Sequence, residues 1–399
     1  MTSGVIATIS RSDLPNLAAK PAEIIDFKEL ASYTWWNKSS PTISVPGFPP
    51  LWFPPSAPRR LDPDSGIVYI DQNAARSPAS PLEPLFRAIL IERPDFSLSD
   101  VDLVTDRNNI RKLLRFVQAL SSDPFHIRVE VVGHGTESTA LFTRVEPKTT
   151  DFIREFRGYG HSFEKAYTKT PVAGVTGYHR IVGYNFGGMR CIVRHETDAY
   201  VRERNTEGVD DSLLSALEGL SLSEPEKMAS GLAIMRSRNK TDVGVSSTLE
   251  IKTCAASRSL DMAGVLPQLW ISQTPKLAVG YHRRGVFENV RVRDMTREIL
   301  QWEAANQGDL KKLAGLLAEI IRVVKRASDC RVMVEYTGGA SLRIVAGDGK
   351  PALPEDLYAK WNDNATLEEE VGFEAGKGKE NVTSTAHKEP SGKTKQPSC

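Results

Sequence analysis

The sequence predicts an α+β (mixed α/β) fold in which central mixed β-sheets are flanked by helices. Runs of β-branched and apolar residues bounded by turns indicate strands, as in residues 189–201, which follow the turn Phe186-Gly187-Gly188. Apolar residues at helical spacing in Leu310–Arg326 indicate an amphipathic helix. Both patterns alternate along the chain, so both element types are expected in one fold.

Length and charge leave several classes of protein open. A chain of 399 residues with 40% hydrophobic content can bury one large core or two ordinary ones. Lys plus Arg (51) nearly balances Asp plus Glu (50), and the net charge of +1 gives no global signature of nucleic-acid or membrane binding. Any basic groove is therefore expected to be local.

The cysteines and the N-terminal residues bear on the compartment. Cys191, Cys254, Cys330 and Cys399 form no CxxC pair, which argues against structural zinc and favours a reducing compartment. The pattern of a secretory signal and a run of about 18 apolar residues are both missing from the sequence, so no membrane partner is expected. We expect the nucleus, the cytoplasm or both.

Composition divides the chain into an arm, a domain and a tail. Residues 1–24 are expected to form a flexible N-terminal arm, and residues 25–350 a single domain with a polar insertion at about 202–241. Residues 351–399 turn to Glu, Lys, Gly, Ser and Thr, with almost no apolar residue after Phe373, which predicts a disordered C-terminal tail.

The other elements of the domain are predicted from the same two periodicities. Helices are expected near 81–90, within 155–167 and around 266–270. Strands are expected at 125–132, 140–145, 245–253, 275–281 and 286–292, and a hairpin at 331–345. Arg107 lies where a strand is expected to turn into a helix within residues 102–114, a position suited to binding a phosphate or a carboxylate.

The predicted strand 189–201 presents two carboxylates one residue apart, Glu196 and Asp198. Side chains at i and i+2 of a strand lie on the same face, so these acids should point together, while His195 points to the other face as a packed histidine. Two acids held side by side need a cation.

Two further parts complete a metal-dependent phosphodiesterase site. Glu164 falls in the first turn of the helix predicted within 155–167, and Glu250 and Lys252 share one face of the strand predicted at 245–253. Acids can hold hard divalent cations through oxygen ligands, and the lysine can position water or stabilise charge developing on a phosphate.

These residues resemble the motifs of the decapping exoribonucleases of the DXO (Dom-three-Z) type, whose core is related to the PD-(D/E)xK nucleases. The resemblance runs, with gaps, from about residue 25 to about residue 345, and the motifs occur in the family's order. The matching positions are Arg107; Gly160-His161-Ser162-Phe163-Glu164, with His161 in place of an apolar residue; Glu196-Thr197-Asp198, with Thr197 as a small departure; Glu250-Ile251-Lys252; and Gln268.

The resemblance implies a PD-(D/E)xK nuclease-like core and a set of roles. Glu164, Asp198 and Glu250 would ligate two divalent ions, Mg²⁺ or Mn²⁺. Glu196 would act through bound water or as a further ligand. Lys252 and Gln268 would hold the nucleophilic water, and Arg107 would contact the RNA backbone.

The implied activity is that of an RNA 5′-end hydrolase in mRNA quality control. It comprises removal of incomplete or noncanonical caps, pyrophosphohydrolysis of 5′-triphosphate RNA, removal of a 5′ NAD cap and 5′–3′ exonuclease activity. The implied partners are RNA 5′ ends and a 5′–3′ exoribonuclease.

Two alternatives stay open. One is a catalytically inactive relative that binds RNA or a nuclease, and the other is a DNA-directed nuclease of the same fold. Complete acids and lysine argue against the first, and the second stands because no reader of the ribose 2′-hydroxyl is recognisable. A prenyl-diphosphate enzyme is rejected, since Asp210-Asp211 in the polar insertion is the nearest approach to its paired Asp-rich helices.

Overall fold

The computed structural model describes residues 4–17, 22–120, 123–202, 222–237, 243–288 and 290–361. Over these ranges the chain forms a larger β-sheet, a smaller β-sheet and a two-stranded ribbon, with helices packed on the sheets. Both larger units contain parallel and antiparallel neighbours, so the prediction of an α+β fold with mixed sheets is confirmed.

The strands are numbered in chain order. The first eleven are β1 (Val5–Ser10), β2 (Ile24–Trp36), β3 (Thr42–Val45), β4 (Leu51–Trp52), β5 (Arg59–Arg60), β6 (Gly66–Tyr69), β7 (Leu103–Asp106), β8 (Phe125–Val132), β9 (Thr139–Val145), β10 (Thr150–Ile153) and β11 (Thr168–Lys169). The others are β12 (Val175–Phe186), β13 (Met189–Glu196), β14 (Ala199–Tyr200), β15 (Glu226–Lys227), β16 (Ala233–Arg236), β17 (Thr248–Ala255), β18 (Lys276–Arg283), β19 (Val286–Phe287), β20 (Arg291–Asp294), β21 (Arg331–Tyr336) and β22 (Ser341–Ala346).

The helices described are also numbered in chain order. They are α1 (Leu14–Leu17), α2 (Gln72–Arg76), α3 (Glu83–Glu92), α4 (Arg107–Val117), α5 (Gly160–Tyr167), α6 (Met262–Ser272), α7 (Thr296–Ala305), α8 (Gln307–Val324) and α9 (Glu355–Tyr358). None of these helices is long and apolar enough to cross a membrane.

The larger sheet carries the long strands and much of the core. Its order is β1-β22-β21-β8-β9-β7-β13-β12-β2-β3-β16-β15. Strand β13 lies near its middle, antiparallel to β12 and parallel to β7. Apolar side chains of α4, α6 and α8 pack on one face of this sheet, and those of α3 pack on the other.

The smaller sheet carries the E-x-K motif. Its order is β11-β4-β14-β17-β18-β19-β5, and β20 also pairs with β18. Leu277 and Val279 of β18 face the core that contains α6, whereas Ile251 and Ala278 face a separate cluster built around Phe163 of α5. The smaller sheet is therefore covered by α6 on one side and by α5 on the other.

The two ends of the chain correct the expected domain boundaries. Residues 5–10 lie in the expected N-terminal arm but form β1, which pairs with β22 because its backbone completes the open edge of the larger sheet. At the other end, Trp361 is buried and packs edge-on against Phe86, with ring centroids 5.5 Å apart. The ordered chain therefore runs past residue 350, and the predicted disorder of residues 362–399 lies outside the described residues.

The expected polar insertion is partly a sheet element. Strand β16 runs parallel to β3, and β15 follows it at the edge of the larger sheet. Leu232 and Ile234 are buried there, so this part of the insertion extends the core. The amphipathic piece expected around 213–217 lies outside the described residues.

Candidate active site

The predicted strand 189–201 is divided between the two sheets. Strand β13 ends at Glu196, and the backbone N–H of Thr197 donates to the carbonyl of Tyr178, 3.0 Å away. Ala199 then pairs with Leu249 in the smaller sheet. The expectation that Glu196 and Asp198 share one face of a single strand is therefore corrected, because the chain crosses between sheets at that point. Glu196 is exposed at the end of β13.

Asp198 is fixed to the strand that carries the E-x-K motif. Its Oδ2 accepts a hydrogen bond of 2.7 Å from the backbone N–H of Ile251. Burial raises the pKa of Asp198 to about 7, with the nearby Glu250 carboxylate as the next cause. A fixed carboxylate with a raised pKa is one whose negative charge is poorly compensated.

Glu250 is the most buried acid of the site, with 3% of its side chain exposed. Arg107 Nη1 lies 2.9 Å from its Oε2, and Lys252 Nζ lies 2.5 Å from its Oε1. Burial alone raises the pKa of Glu250, but Arg107 and Lys252 outweigh it and hold this pKa below the usual range. Arg107, expected to contact RNA backbone, thus contacts a site acid across 143 residues of sequence.

Gln268 links this cluster to a second arginine. With its amide oriented to satisfy both neighbours, Gln268 donates to Oε1 of Glu250 at 3.1 Å and accepts from Nη1 and Nη2 of Arg111, each at 2.8 Å. Burial, and then the nearby Arg107, lower the pKa of Arg111 to about 10. Sequence reasoning missed Arg111, although its position four residues after Arg107 on a helix places both side chains on one face.

Glu164 approaches from the other side, on α5. The helix begins at Gly160, so Glu164 lies in its second turn rather than the expected first. Phe163 anchors the helix by stacking on Tyr167, with centroids 4.0 Å apart, and Asp64 Oδ1 accepts from the N–H of Ser162 at 2.9 Å. Glu164 is half-buried, and among the described residues no donor bonds its carboxylate.

The electrostatics show that the acids influence one another. Burial raises the pKa of Glu164 well above its usual range, and Asp198 and Glu196 raise it further. Burial lowers the pKa of Lys252, but Glu250 and Asp198 outweigh it, so the lysine is protonated. The structure thus brings the predicted residues together in two ways: hydrogen bonds join Arg107, Lys252, Gln268 and Glu250, and charge repulsion couples Glu164 to Asp198.

The donor set fits a hard divalent cation. Within the described ranges, no three His, Cys, Asp or Glu side chains already stand at the distances of a complete ligand set. The candidate donors are nevertheless carboxylate oxygens, which Mg²⁺, Mn²⁺ and Ca²⁺ prefer. Asp198 and Glu164 both carry raised pKa values, the sign that positive charge at this position would be favourable.

His195 stands apart from the site, as expected for a packed histidine. It is 4% exposed, and neither ring nitrogen has a hydrogen-bond partner among the residues described. Burial lowers the pKa of His195 well below its usual range, and Arg107 and Arg180 add to the effect. The ring is therefore neutral and acts as core.

Comparisons with known proteins agree with this geometry at the level of the fold. A family model described as "Domain of unknown function (DUF8563)" matches residues 5–359. No curated protein matches the chain.

Solved structures with the same fold include three Rai1 proteins. S. pombe Rai1 is 14% identical, with a TM-score of 0.56, 85% of this chain and 98% of that chain covered. Scheffersomyces stipitis Rai1 in complex with (3′-NADP)⁺ and calcium ion is 13% identical, with a TM-score of 0.56. The match covers 91% of this chain and 100% of that chain. Candida albicans Rai1 in complex with pU5-Mn²⁺ is 12% identical, with a TM-score of 0.52. The match covers 87% of this chain and 97% of that chain.

These likenesses establish the architecture. The predicted resemblance to the DXO-type decapping exoribonucleases is confirmed for the fold, which extends over nearly the whole of each Rai1 chain. Identity of 12–14% leaves the residues' roles to be argued from the site itself.

Proposed function

We propose that this chain, which belongs to the family described as "Domain of unknown function (DUF8563)", is a divalent-metal-dependent hydrolase of RNA 5′ ends. The observation that carries the proposal is the arrangement around Glu250. A buried carboxylate bonded to Arg107, Lys252 and Gln268 stands beside two acids, Asp198 and Glu164, whose charge is uncompensated. Structural ion pairs have no need of the extra acids.

Glu164, Asp198 and Glu250 are the proposed metal ligands, with Glu196 as a further ligand or a holder of bound water. Bound divalent cations would polarise the phosphate and lower the pKa of a water molecule. The chain's own part is to fix the acids. Asp198 is held by the N–H of Ile251, and Glu250 by the cations around it.

Lys252 and Gln268 are proposed to orient the attacking water. The protonated Lys252 can also stabilise negative charge as it develops on a phosphate. Gln268 is locked by Arg111, which occupies its amide oxygen and leaves the amide N–H₂ to face Glu250. The amide is thereby prevented from rotating, so its donor side is held toward the site.

Arg107 is proposed to contact both Glu250 and substrate. In the described residues only its Nη1 is engaged with an acid, so its other nitrogens can donate to a phosphate. Burial lowers the pKa of Arg107, but Glu250 and Asp198 outweigh it, and the guanidinium stays charged.

The ligands of the fold's neighbours support the proposed substrate class. The S. stipitis protein was solved with (3′-NADP)⁺ and calcium ion, and the C. albicans protein with pU5-Mn²⁺. We extend this to the present chain as action on NAD-capped, triphosphate and incompletely capped 5′ ends, with 5′–3′ degradation as a further activity. Two metal ions, action in the nucleus or cytoplasm, and a 5′–3′ exoribonuclease partner belong to the same proposal.

The test uses RNAs that differ only at the 5′ end: triphosphate, unmethylated cap, methylated cap, NAD and monophosphate. Purified full-length chain is incubated with each in Mg²⁺ or Mn²⁺, and then with EDTA. We expect metal-dependent release from at least one RNA, lost in Glu250→Ala and in Asp198→Ala. Glu226→Ala, which removes an acid that is 57% exposed in a surface ion pair, is the matched control and should keep full activity.

Each other outcome contradicts a defined part of the proposal. Full activity in both site variants would place the chemistry elsewhere. Binding of RNA without release of any product would favour the inactive relative. Equal cleavage of matched DNA would favour the DNA-directed nuclease.

A further inference from the structure

An exposed aromatic ring and two arginines lie beside the site on the smaller sheet. Tyr281 is 40% exposed although it belongs to a central strand, β18. Arg283 follows two residues later, and Arg291 lies on β20, both exposed. We call Tyr281, Arg283 and Arg291 the Tyr281 platform.

The strand register places this platform on the same face as the proposed catalytic residues. Lys252 lies opposite Val279, and Val279 lies opposite Arg291, so the three share one face of the sheet. Cys254, two residues after Lys252, lies opposite Tyr281. Tyr281 is thus about 7 Å further along the strand direction than Lys252 and one strand away.

Packing on the opposite face supports this assignment. Ile251 and Ala278 are buried in the cluster around Phe163, and Val290 and Val292 pack against it. The residues that alternate with these along each strand therefore point to the opposite face, where Gln268 contacts Glu250. Arg291 lies between Val290 and Val292, so its side chain belongs to the face of the site.

The Tyr281 platform is exposed to solvent, and the positive charge of its two arginines is not balanced by an ion pair with any described residue. Strand β20 pairs with β18 at residues 276–279 and β19 pairs with it at 282–283, which leaves residues 280 and 281 unpaired on that edge. Among the described residues, neither Arg283 nor Arg291 forms an ion pair, whereas the neighbouring Arg293 bonds Glu298 at 3.1 Å. No described ring or cation packs on Tyr281.

We infer that the Tyr281 platform binds the single-stranded RNA that follows the 5′ end held in the site. A base stacks on the Tyr281 ring while Arg283 and Arg291 contact the phosphates on either side of it. An aromatic face flanked by guanidinium groups is the combination that holds single strands without reading sequence. This inference rests on the proposed function, which places the RNA 5′ end beside Lys252.

The test compares two 5′-monophosphorylated uridine oligomers, a dinucleotide and an RNA of about eight nucleotides, the latter within the usual site size for single strands. Binding to the full-length chain is measured by fluorescence anisotropy in Ca²⁺. We expect Tyr281→Ala to weaken binding of the longer RNA about tenfold and to leave the dinucleotide unchanged, since one stacked base is lost. Tyr281→Phe keeps the ring and should keep the affinity.

The arginines have a separate readout. Replacing Arg283 and Arg291 by Ala should reduce the slope of log affinity against log salt by about 1.4 for the longer RNA, because two phosphate contacts are lost. Tyr69→Ala is the matched control, since Tyr69 has the same exposed fraction, 40%, on a different sheet. It should change neither affinity.

The outcomes separate this inference from the proposed hydrolase. Affinity of Tyr281→Ala for the longer RNA within about twofold of wild type, an equal loss in Tyr69→Ala, or no binding of either RNA by wild type would each overturn the platform. The same protein is then assayed for hydrolysis in Mn²⁺. Binding that depends on Tyr281 without any hydrolysis would support the platform and refute the hydrolase.

Discussion

Two clusters of charged residues, one around Arg194 of β13 and one around Glu250 of β17, differ in how their charge is balanced. In the first, Arg194 is 1% exposed and grips Asp106 through two hydrogen bonds, of 2.6 and 3.0 Å. Its remaining nitrogen donates to the carbonyl of Pro81 and to the Tyr33 hydroxyl. In the second cluster, the acids Glu164, Glu196, Asp198 and Glu250 outnumber the cations bonded to them, Arg107 and Lys252.

The adjacent residues Asp106 and Arg107 belong to different clusters. Asp106 neutralises Arg194, and Arg107 bonds Glu250. The Arg194 cluster is closed, since cation and anion are matched by geometry and charge, as a structural ion pair should be. The Glu250 cluster leaves Asp198 and Glu164 with raised pKa values, which is what a candidate cation site should show.

The largest expected effect separates the clusters by function. Asp198→Asn keeps an oxygen that can accept from Ile251 but removes the charge. We expect metal-dependent hydrolysis to fall about a thousandfold, a loss of about 4 kcal/mol of transition-state stabilisation, while the urea midpoint stays the same or rises. Steady-state rates and urea unfolding are measured on one preparation. Activity within tenfold of wild type would show that the charge of Asp198 is not needed for hydrolysis.

The next largest effect is a loss of stability that we expect when the Arg194 cluster is broken. Arg194→Ala leaves the Asp106 carboxylate without its cation, and we expect the free energy of unfolding to fall by about 3–5 kcal/mol. Arg190→Ala on the same strand is the control, because its ion pair with Asp100 is 54% and 67% exposed and should contribute about 1 kcal/mol or less. Equal urea midpoints for the two variants would show that the Arg194 cluster is not structural.

The smallest effect is a pH dependence measured in EDTA. Burial raises the pKa of Asp198 from the model-compound value 3.8 to about 7. A raised pKa contributes stability that is fully present below pH 3.8 and is lost as pH rises through about 7. The free energy of unfolding of wild type should therefore fall relative to that of Asp198→Asn across this window. Because Asp198 is only partly buried, solvent screening reduces the expected change to on the order of 1 kcal/mol.

The control for this pH effect is Asp100→Asn, whose carboxylate is 67% exposed in its surface pair with Arg190. Its free energy of unfolding should differ little from that of wild type, because so exposed an ion pair contributes about 1 kcal/mol or less. A difference between wild type and Asp198→Asn that does not change with pH would show that Asp198 is compensated as fully as Asp106.

Much of the fold could be predicted from local patterns. The apolar stripe of α8, the hairpin of β21 and β22, and the corner at Arg107 all follow from periodicity and turn residues within a short window. The break after Glu196 could not be predicted, because strand periodicity does not specify which sheet a strand joins. Strand β1 was missed for a similar reason, since its partner β22 lies more than 300 residues away.

The residues of the candidate site could be singled out from the sequence, but the hydrogen bonds between them could not. Motif spacing and family resemblance singled out Glu164, Asp198, Glu250, Lys252 and Gln268. The pairing of Arg107 with Glu250 joins residues 143 apart, and no local pattern contains it. Arg111 could have been predicted from the sequence, because arginines four residues apart on one helix lie on the same face.

We propose that Glu164, Asp198 and Glu250 close around a shared cation. Crystals of the full-length chain soaked in Mn²⁺, with anomalous scattering recorded, test it most directly. We predict an anomalous peak within about 2.0–2.6 Å of carboxylate oxygens from these three residues, the range of oxygen ligands to hard divalent ions. A fully occupied ion bound elsewhere, with Glu250 still held by Arg107 and Lys252, would contradict the account.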